Sequence, residues 1–95
     1  MMFVKFYKVN KRQSSDGDQY YLTEVSINIA KISYMTENFT MKAMLKEGKM
    51  NLDLNHGVNF TDLVLNGKQE ITVIGSPSVI ESKITESSTK TLLRG

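Results

Sequence analysis

Apolar and polar residues alternate along much of the chain, and this pattern predicts a protein built mainly of β-strand. The first run, Val4–Val9, combines aromatic and β-branched residues with lysines on both of its faces. We interpret it as an edge strand whose lysine stems are half-buried. A second strand is predicted from Tyr20 to about Ile29, where Val25, Ile27 and Ile29 alternate with polar residues.

Two interruptions separate these strands from each other and from the segment that follows. Residues 10–18 contain nothing to bury and include the turn-forming pair Asp16-Gly17, so we predict an exposed, mobile loop. After Ile29, the residues Ala30-Lys31 break the alternation, and a bulge or tight bend is expected there. The strand pattern then resumes through Ile32–Met35.

The middle of the chain fits two structures. Residues 40–48 form a short helix if Thr40 caps it and Gly48 ends it, but their alternation also fits a strand. We favour the helix and leave the strand open. Residues 50–54 are predicted to form a strand, because Met50, Leu52 and Leu54 alternate with polar residues.

The segment 61–74 predicts a β-hairpin. Asn66-Gly67 lies between two apolar runs, and both residue types tolerate the positive φ angles of a tight turn. A two-residue turn would place Leu63 opposite Glu70, so the apolar residues of the two strands would not face each other. A three-residue loop, 66–68, places Leu63 opposite Ile71 and Thr61 opposite Val73, so we prefer it.

A helix is predicted from Ser76 to Ile84, since serine is a good N-cap and proline fits the first helical position. Val79, Ile80 and Ile84 would form the stripe that packs on a sheet. Residues 85–95 are rich in serine and threonine, and we interpret them as a frayed or interacting tail after a single β-rich domain, 1–84.

Together these elements predict an α+β fold, mainly β, with a small bent antiparallel sheet of four or five strands and one C-terminal helix. The 95 residues include no cysteine, which excludes disulfides, thiolate metal sites and thiol nucleophiles. A core this small favours homo-oligomerisation, in which the first strand or the 50–54 strand pairs across a two-fold axis.

The charge and hydropathy of the chain narrow its location and partners. The net charge of +2 is too small to imply nucleic-acid binding by itself. The N-terminal residues do not resemble a signal peptide, and the chain has no run of 18 apolar residues, so we expect no membrane association. A cytoplasmic location is predicted, in the host cytoplasm if the protein derives from a phage.

Candidate catalytic and metal-binding residues are few. His56 is the only histidine, and acid–base chemistry would need it together with Asp53 or Asp62. Asp16 and Asp18 flank a glycine as in part of a calcium loop, but the remaining ligand positions and the closing glutamate are missing. The sequence therefore predicts no enzyme activity, no metal site and no cofactor.

The strongest binding pattern is a set of basic and aromatic residues near the N-terminus. Cations contact phosphates and flat rings stack on bases, so the combination on a sheet suits a phosphorylated ligand or a single-stranded nucleic acid. The candidate ligand- or partner-binding residues are Lys5, Tyr7, Lys8, Lys11, Arg12, Tyr20 and Tyr21.

The order of elements resembles that of the small FlbD-type flagellar proteins and of similar bacterial and phage proteins. The resemblance rests on the opening strand, Phe3–Phe6, on Val25–Ile29 leading to Ile32, on the hairpin through Asn66-Gly67, and on Ile71–Ile74, which runs into the predicted helix at Ser76–Ile84. The longer first loop and the inserted stretch at about 36–58 depart from that pattern. The resemblance implies a small, non-enzymatic regulator that acts by binding.

Three functions follow as hypotheses. The first is a phage-type accessory protein that occludes a host protein, with the first loop, the 36–58 insertion and the tail as contact regions. The second is an oligomer that sequesters a small phosphorylated ligand such as a nucleotide. The third is a single-stranded nucleic-acid binding protein.

Overall fold

A computed structural model describes the backbone of residues 2–93 and the side chains of residues 2–87. Five antiparallel strands form one sheet in the order β2-β1-β5-β4-β3, and the second of two α-helices lies at the C-terminal end. The predicted α+β, mainly β fold is confirmed. The elements are β1 (Phe3–Ser14), β2 (Gly17–Asn28), a 3-10 turn (Ile29–Lys31), β3 (Ile32–Glu37), α1 (Phe39–Lys46), β4 (Phe60–Leu65), β5 (Gln69–Ile74) and α2 (Pro77–Leu93).

The short connection between β2 and β3 bends the sheet. These strands are the two edges of the sheet, and in a flat sheet four strand spacings would separate them by about 19 Å. Only the 3-10 turn joins Asn28 to Ile32, and four residues span at most about 14 Å. The sheet therefore curls, which gives it a concave inner face and a convex outer face. The bend predicted near residues 30–31 is this turn.

The main core fills the concave inner face. It contains apolar side chains from all five strands and from α2, and Phe6, Leu63, Val73 and Ile80 are almost completely buried in it. The main-chain N–H of Val79 donates to the Ser76 hydroxyl at 3.2 Å, which confirms Ser76 as the cap of α2. Ile80 and Ile84 pack as predicted, whereas Val79 is exposed and takes no part in the packing stripe.

A second, outer core covers part of the convex face. Val9 from β1, Tyr20 from β2 and Phe60 from β4 pack against Leu45 of α1 and Met50. Further apolar side chains of the 50–58 segment join them. The middle segment of the chain therefore serves as a cover for the sheet.

The predicted strand at residues 50–54 is wrong. This segment joins no ladder of the sheet. The Asn51 side chain takes the place of a pairing strand: its carbonyl oxygen accepts the Tyr20 N–H at 2.6 Å, and its amide donates to the Tyr20 carbonyl at 3.1 Å. The alternation that suggested a strand comes from Met50, Leu52 and Leu54, which point into the outer core.

The predicted loop at residues 10–18 and the predicted edge position of the first strand are also wrong. β1 and β2 pair without interruption from Phe3–Asn28 to Ser14–Gly17, so the hairpin turn contains only residues 15–16. β1 lies between β2 and β5 and is not an edge strand. Residues 11–19 are all exposed, and we call them the arm. Cross-strand hydrogen bonds hold this segment without any burial.

Two local predictions are confirmed, the register of the β4–β5 hairpin and the helix in the middle of the chain. In the β4–β5 hairpin, Leu63 lies opposite Ile71 and Thr61 opposite Val73, with residues 66–68 as the loop. Asn66 and Gly67 both have positive φ, at 52° and 74°.

Residues 39–46 form the favoured helix, α1. Its N-cap is Asn38, whose side chain accepts the Met41 N–H at 2.8 Å, and not the predicted Thr40.

Candidate functional site

The seven predicted binding residues lie on the β1–β2 hairpin but are divided between the two faces of the sheet. Side chains alternate along a strand, and directly paired residues of neighbouring strands share a face. Val9 on β1 belongs to the outer core and Phe6 to the main core. Odd-numbered residues of β1 therefore lie on the outer face and even-numbered residues on the inner face. Lys5, Tyr7, Lys11 and Tyr20 therefore lie on the outer face, and Lys8, Arg12 and Tyr21 on the inner face.

The two outer-face lysines are paired with acidic residues. The Lys5 ammonium lies 3.6 Å from the Glu24 carboxylate, and the Lys11 ammonium lies 3.7 Å from the Asp18 carboxylate. Both pairs are exposed and contribute little to stability, but they cancel the positive charge of this face. Tyr20 is 9% exposed and packs in the outer core, so it is not available to a ligand.

Two large aromatic side chains stand exposed on the same outer face. Phe3 is 56% exposed and Tyr7 is 53% exposed, four residues apart on β1. The Lys5–Glu24 ion pair lies between them along the strand, and Ser26 lies directly opposite Lys5 on β2. We call these five residues, Phe3, Lys5, Tyr7, Glu24 and Ser26, the aromatic face.

The inner-face cations have a different environment. The Arg12 guanidinium lies 5.1 Å from the centre of the Tyr21 ring, a cation–π distance. Lys8 is half-buried beside Val73, and neither cation forms an ion pair with a carboxylate of the described residues. We call Lys8, Arg12 and Tyr21 the basic face.

Asn10 occupies the middle of the basic face. Its side-chain amide donates to the Thr23 hydroxyl at 2.9 Å, and it also reaches the Lys8 carbonyl at 3.3 Å. These bonds fix Asn10 between Lys8 and Arg12, so a ligand bound there would meet a fixed amide beside two cations.

The outer edge of β2 exposes main-chain hydrogen-bonding groups. Asn51 contacts the Tyr20 main chain on the side of β2 that faces away from β1. Alternate residues of a strand direct their main-chain groups to the same side, so those of Leu22, Glu24 and Ser26 also face outward. No described residue donates to them or accepts from them. We call this stretch the open edge.

Residues considered for catalysis are not assembled into a site. His56 is exposed in a turn of the 50–58 segment. Asp62 accepts hydrogen bonds from the Asn38 amide at 3.1 Å and the Thr72 hydroxyl at 2.6 Å, which engages it in fastening α1 to the sheet. Among the described residues, no group of three or more histidine, aspartate or glutamate side chains is placed to hold a metal ion.

The other predicted contact regions have mixed outcomes. Most apolar residues of the 36–58 insertion pack in the outer core, which gives the insertion a structural role, but Phe39 is 70% exposed. The backbone of α2 is helical across residue 84 and up to Leu93. The side chains of residues 88–95 lie outside the described part of the chain, so a binding role for the 85–95 tail stays a prediction.

Sequence reasoning missed three features of this surface. Phe3 was assigned to the opening strand but not to the binding set, although alternation places it on the face of Lys5 and Tyr7. Glu24 was not recognised as the partner of Lys5, because the β1–β2 register depends on a turn inside the predicted loop. The open edge required the strand order, which local patterns do not contain.

No protein-family model, curated protein or solved structure matches this chain. The resemblance to FlbD-type proteins therefore stays a prediction. In the part of the chain that the structure describes, no helix is long and apolar enough to cross a membrane.

Proposed function

We propose that the protein acts without catalysis, by binding a protein partner through the aromatic face of the β1–β2 hairpin. The exposure of Phe3 and Tyr7 on one face of β1 is the observation that carries this proposal. Aromatic side chains dominate the energetics of protein interfaces, and tyrosine is among the residues most enriched at their energetic centres.

The position of these aromatics on a central strand favours tight contact. β1 pairs with β2 along the whole strand and with β5 at Lys8, so its backbone is held before any partner arrives. A side chain on such a strand loses less freedom on binding than one on a loop, and the entropic cost of association is lower. Phe3 and Tyr7 are therefore suited to act as anchors in pockets of a partner.

The charges of the aromatic face also favour a protein over a polyanion. Because Lys5 is paired with Glu24, this face carries no net charge between the two rings. Nucleic-acid affinity depends on unpaired cations that contact phosphates. Aromatic residues are instead enriched at protein interfaces, which also contain hydrogen bonds from polar groups around them. The resemblance to phage accessory proteins supports a host protein as that partner.

A comparison of matched variants tests the proposal. A partner that co-purifies in stoichiometric amount is isolated, and its Kd is measured for wild type, Tyr7→Ala and Tyr34→Ala. Tyr34 lies on β3 and is 58% exposed, so it matches Tyr7 in chemistry and exposure. We expect Tyr7→Ala to weaken binding by at least about tenfold, as for an interface anchor, and Tyr34→Ala to leave the Kd unchanged.

Two results would contradict this function. Binding that Tyr7→Ala and Phe3→Ala both leave intact would show that the aromatic face is not the contact surface. A measured enzymatic turnover that is lost in His56→Ala would show that binding is not the activity.

The basic face supports a second candidate, the binding of a phosphorylated nucleotide. Lys8 and Arg12 form no ion pair with a carboxylate of the described residues, and Arg12 lies over the Tyr21 ring, so this face offers charge for a phosphate and a surface for a base. A thermal-shift screen with mononucleotides and short single strands should show stabilisation of wild type, equivalent to about 2.7 kcal/mol at 100 times Kd. Arg12→Gln should abolish the shift, whereas Lys11→Gln on the opposite face should preserve it.

The two ligand sets of that screen, mononucleotides and short single strands, distinguish a small-ligand site from nucleic-acid binding. A shift with mononucleotides indicates a small-ligand site. A shift only with single strands, with affinity that falls steeply as salt rises, indicates nucleic-acid binding. An equal loss of the shift in the Lys11→Gln variant would remove the basic face from consideration.

A further inference from the structure

We infer that a second copy of this chain pairs with the open edge of β2, forming a two-fold symmetric dimer in which the sheet continues from one copy into the other. This inference goes beyond the proposed function, because it concerns the edge of the hairpin and not its aromatic face. It also replaces the two strands that the sequence predicted for self-association, since β1 is central and residues 50–54 form no strand.

The open edge has few of the features that usually prevent strand addition, since Glu24 is its one charged residue. Natural edge strands are protected by lysine, by proline or by a β-bulge. The β2 residues from Leu22 to Asn28 contain neither lysine nor proline, and their register with β1 is regular throughout. The opposite edge, β3, has an irregular register between Ile32 and Tyr34. Of the two edges, β2 is therefore the one suited to accept another strand.

The Asn51 side chain limits how far a second strand can extend. It occupies the main-chain groups of Tyr20, so pairing cannot include that residue. The accessible ladder begins at Leu22 and ends at Asn28, which offers only its N–H because its carbonyl accepts a hydrogen bond within the 3-10 turn. Seven residues match the usual strand length in globular proteins and are long enough for several exchanged hydrogen bonds.

Symmetry and charge together select one register. With the two-fold axis at Thr23, Tyr20 would have to pair with Ser26 of the second copy, which Asn51 prevents. With the axis at Glu24, two glutamates would lie directly opposite each other, an unfavourable like-charge contact. An axis at Ser26 would use only residues 24–28. The axis at Val25 uses the whole ladder from Leu22 to Asn28 and opposes no like charges.

The side chains around this axis complement each other. Val25 lies opposite Val25 of the second copy, and Thr23 lies opposite Ile27. Val25 and Ile27 already pack against or within the main core, so the apolar layer of the inner face would continue across the interface. On the outer face, Glu24 lies opposite Ser26, which accepts a charged neighbour without repulsion.

The dimer would also double the binding surface. Strands β1 and β2 of one copy would lie beside β2 and β1 of the other in a continuous sheet. Phe3 and Tyr7 of both copies would then share one outer face, and a partner that contacts both sets gains from bivalent attachment.

A disulfide trap tests the register. The chain contains no cysteine, so a Val25→Cys variant carries a single thiol. The two Val25 positions form a non-hydrogen-bonded pair, with Cα atoms about 4.5 Å apart, inside the range for a disulfide. Under mild oxidation we expect most of the Val25→Cys protein to become a covalent dimer. The control, Tyr34→Cys on the exposed face of β3, should remain mostly monomeric.

Sedimentation of edge variants gives an independent test. Ser26→Pro removes an N–H that points away from β1, so the variant should keep its pairing with β1 and lose the dimer. The control, Ser26→Ala, should dimerise as wild type does. Ser26→Glu places a glutamate opposite Lys5 in its own chain but opposite Glu24 of the second copy. We expect it to fold normally and to raise the dimer Kd about fivefold.

Three results would overturn the dimer. The first is a wild type that remains a monomer at roughly millimolar concentration, the weak end of specific association. The second is a Val25→Cys variant that cross-links no faster than Tyr34→Cys. Finally, a Ser26→Glu variant that keeps its circular dichroism spectrum and dimerises as tightly as wild type would exclude this register.

Discussion

The two β-hairpins of this protein differ in how far they are buried. The β4–β5 hairpin has the main core on one face and the outer core on the other, and Phe60, Thr61, Leu63 and Val73 are fully buried in it. The β1–β2 hairpin is twice as long in each strand, yet its arm, residues 11–19, is exposed throughout. Burial therefore stabilises the β4–β5 hairpin, whereas the arm of the β1–β2 hairpin depends on cross-strand hydrogen bonds and on the register set at its base.

The largest effect should come from the hairpin that is buried on both faces. Phe60→Ala removes a fully buried ring from the outer core, and we expect the free energy of unfolding to fall by about 3–5 kcal/mol. The measurement is urea denaturation, with Tyr34→Ala as an exposed aromatic control that should change stability by less than about 0.5 kcal/mol. A loss below about 1 kcal/mol for Phe60→Ala would mean that the outer core is not a packed core.

Glycine substitutions compare the two hairpins at matched backbone angles. Gly75, after β5, has φ of 125°, and an added Cβ would lie 3.1 Å from the Ile80 side chain. Gly17, at the tip of the arm, has φ of 108° with no atom within 4 Å of such a Cβ. We expect Gly75→Ala to cost about 1–3 kcal/mol of global stability. Gly17→Ala should cost less, because the arm can open locally without exposing the main core.

Urea denaturation of the two glycine variants, combined with amide hydrogen exchange, checks this difference. In the Gly17→Ala variant, exchange should accelerate in the arm alone. Equal global losses in the two variants would show that the arm unfolds together with the rest of the molecule.

A smaller effect is expected at the point where the arm leaves the body. Asn51→Ala removes both hydrogen bonds to the Tyr20 main chain, and a loss of about 1 kcal/mol should follow. The Tyr20 amide should also exchange faster with solvent. Asn55→Ala, which removes only a local bond to Gly57, serves as the control in the same segment. Unchanged exchange at Tyr20 would mean that Asn51 does not close this edge.

The smallest effect should come from removing the arm itself. Replacing residues 13–18 with Asn-Gly removes most of the arm and joins Arg12 to Gln19, a hydrogen-bonded pair, by a two-residue turn that suits a hairpin. Because the deleted residues are exposed, we expect stability to change by less than about 0.5 kcal/mol in thermal and urea unfolding. A loss above about 2 kcal/mol would show that the arm stabilises the body of the protein.

Local patterns predicted the parts of the fold that local chemistry determines. The register of the β4–β5 hairpin followed from apolar alternation and from Asn66-Gly67, and the start of α2 followed from Ser76-Pro77. The arm was mistaken for a loop because its strands bury nothing, and a sequence pattern detects burial and not main-chain pairing. Residues 50–54 were mistaken for a strand for the converse reason, since they bury alternate residues without pairing.

The candidate site was predictable only in its composition. The basic and aromatic residues lie on the predicted hairpin, and strand parity alone would have separated Lys8 and Arg12 from Lys5 and Tyr7. Burial of Tyr20 was not predictable, because it depends on a distant segment that folds over β2. The ion pairs that neutralise Lys5 and Lys11 likewise depend on the full register of the hairpin.

The 3-10 turn between β2 and β3 has a consequence for how this fold tolerates change. Its three residues act as a tether whose length sets the curvature of the whole sheet, because the edges that it joins are four strands apart. Lengthening this tether would let the sheet flatten and withdraw its inner face from α2. Loop insertions are usually tolerated at exposed connections, yet this one should be as intolerant of added residues as a core position is of added volume.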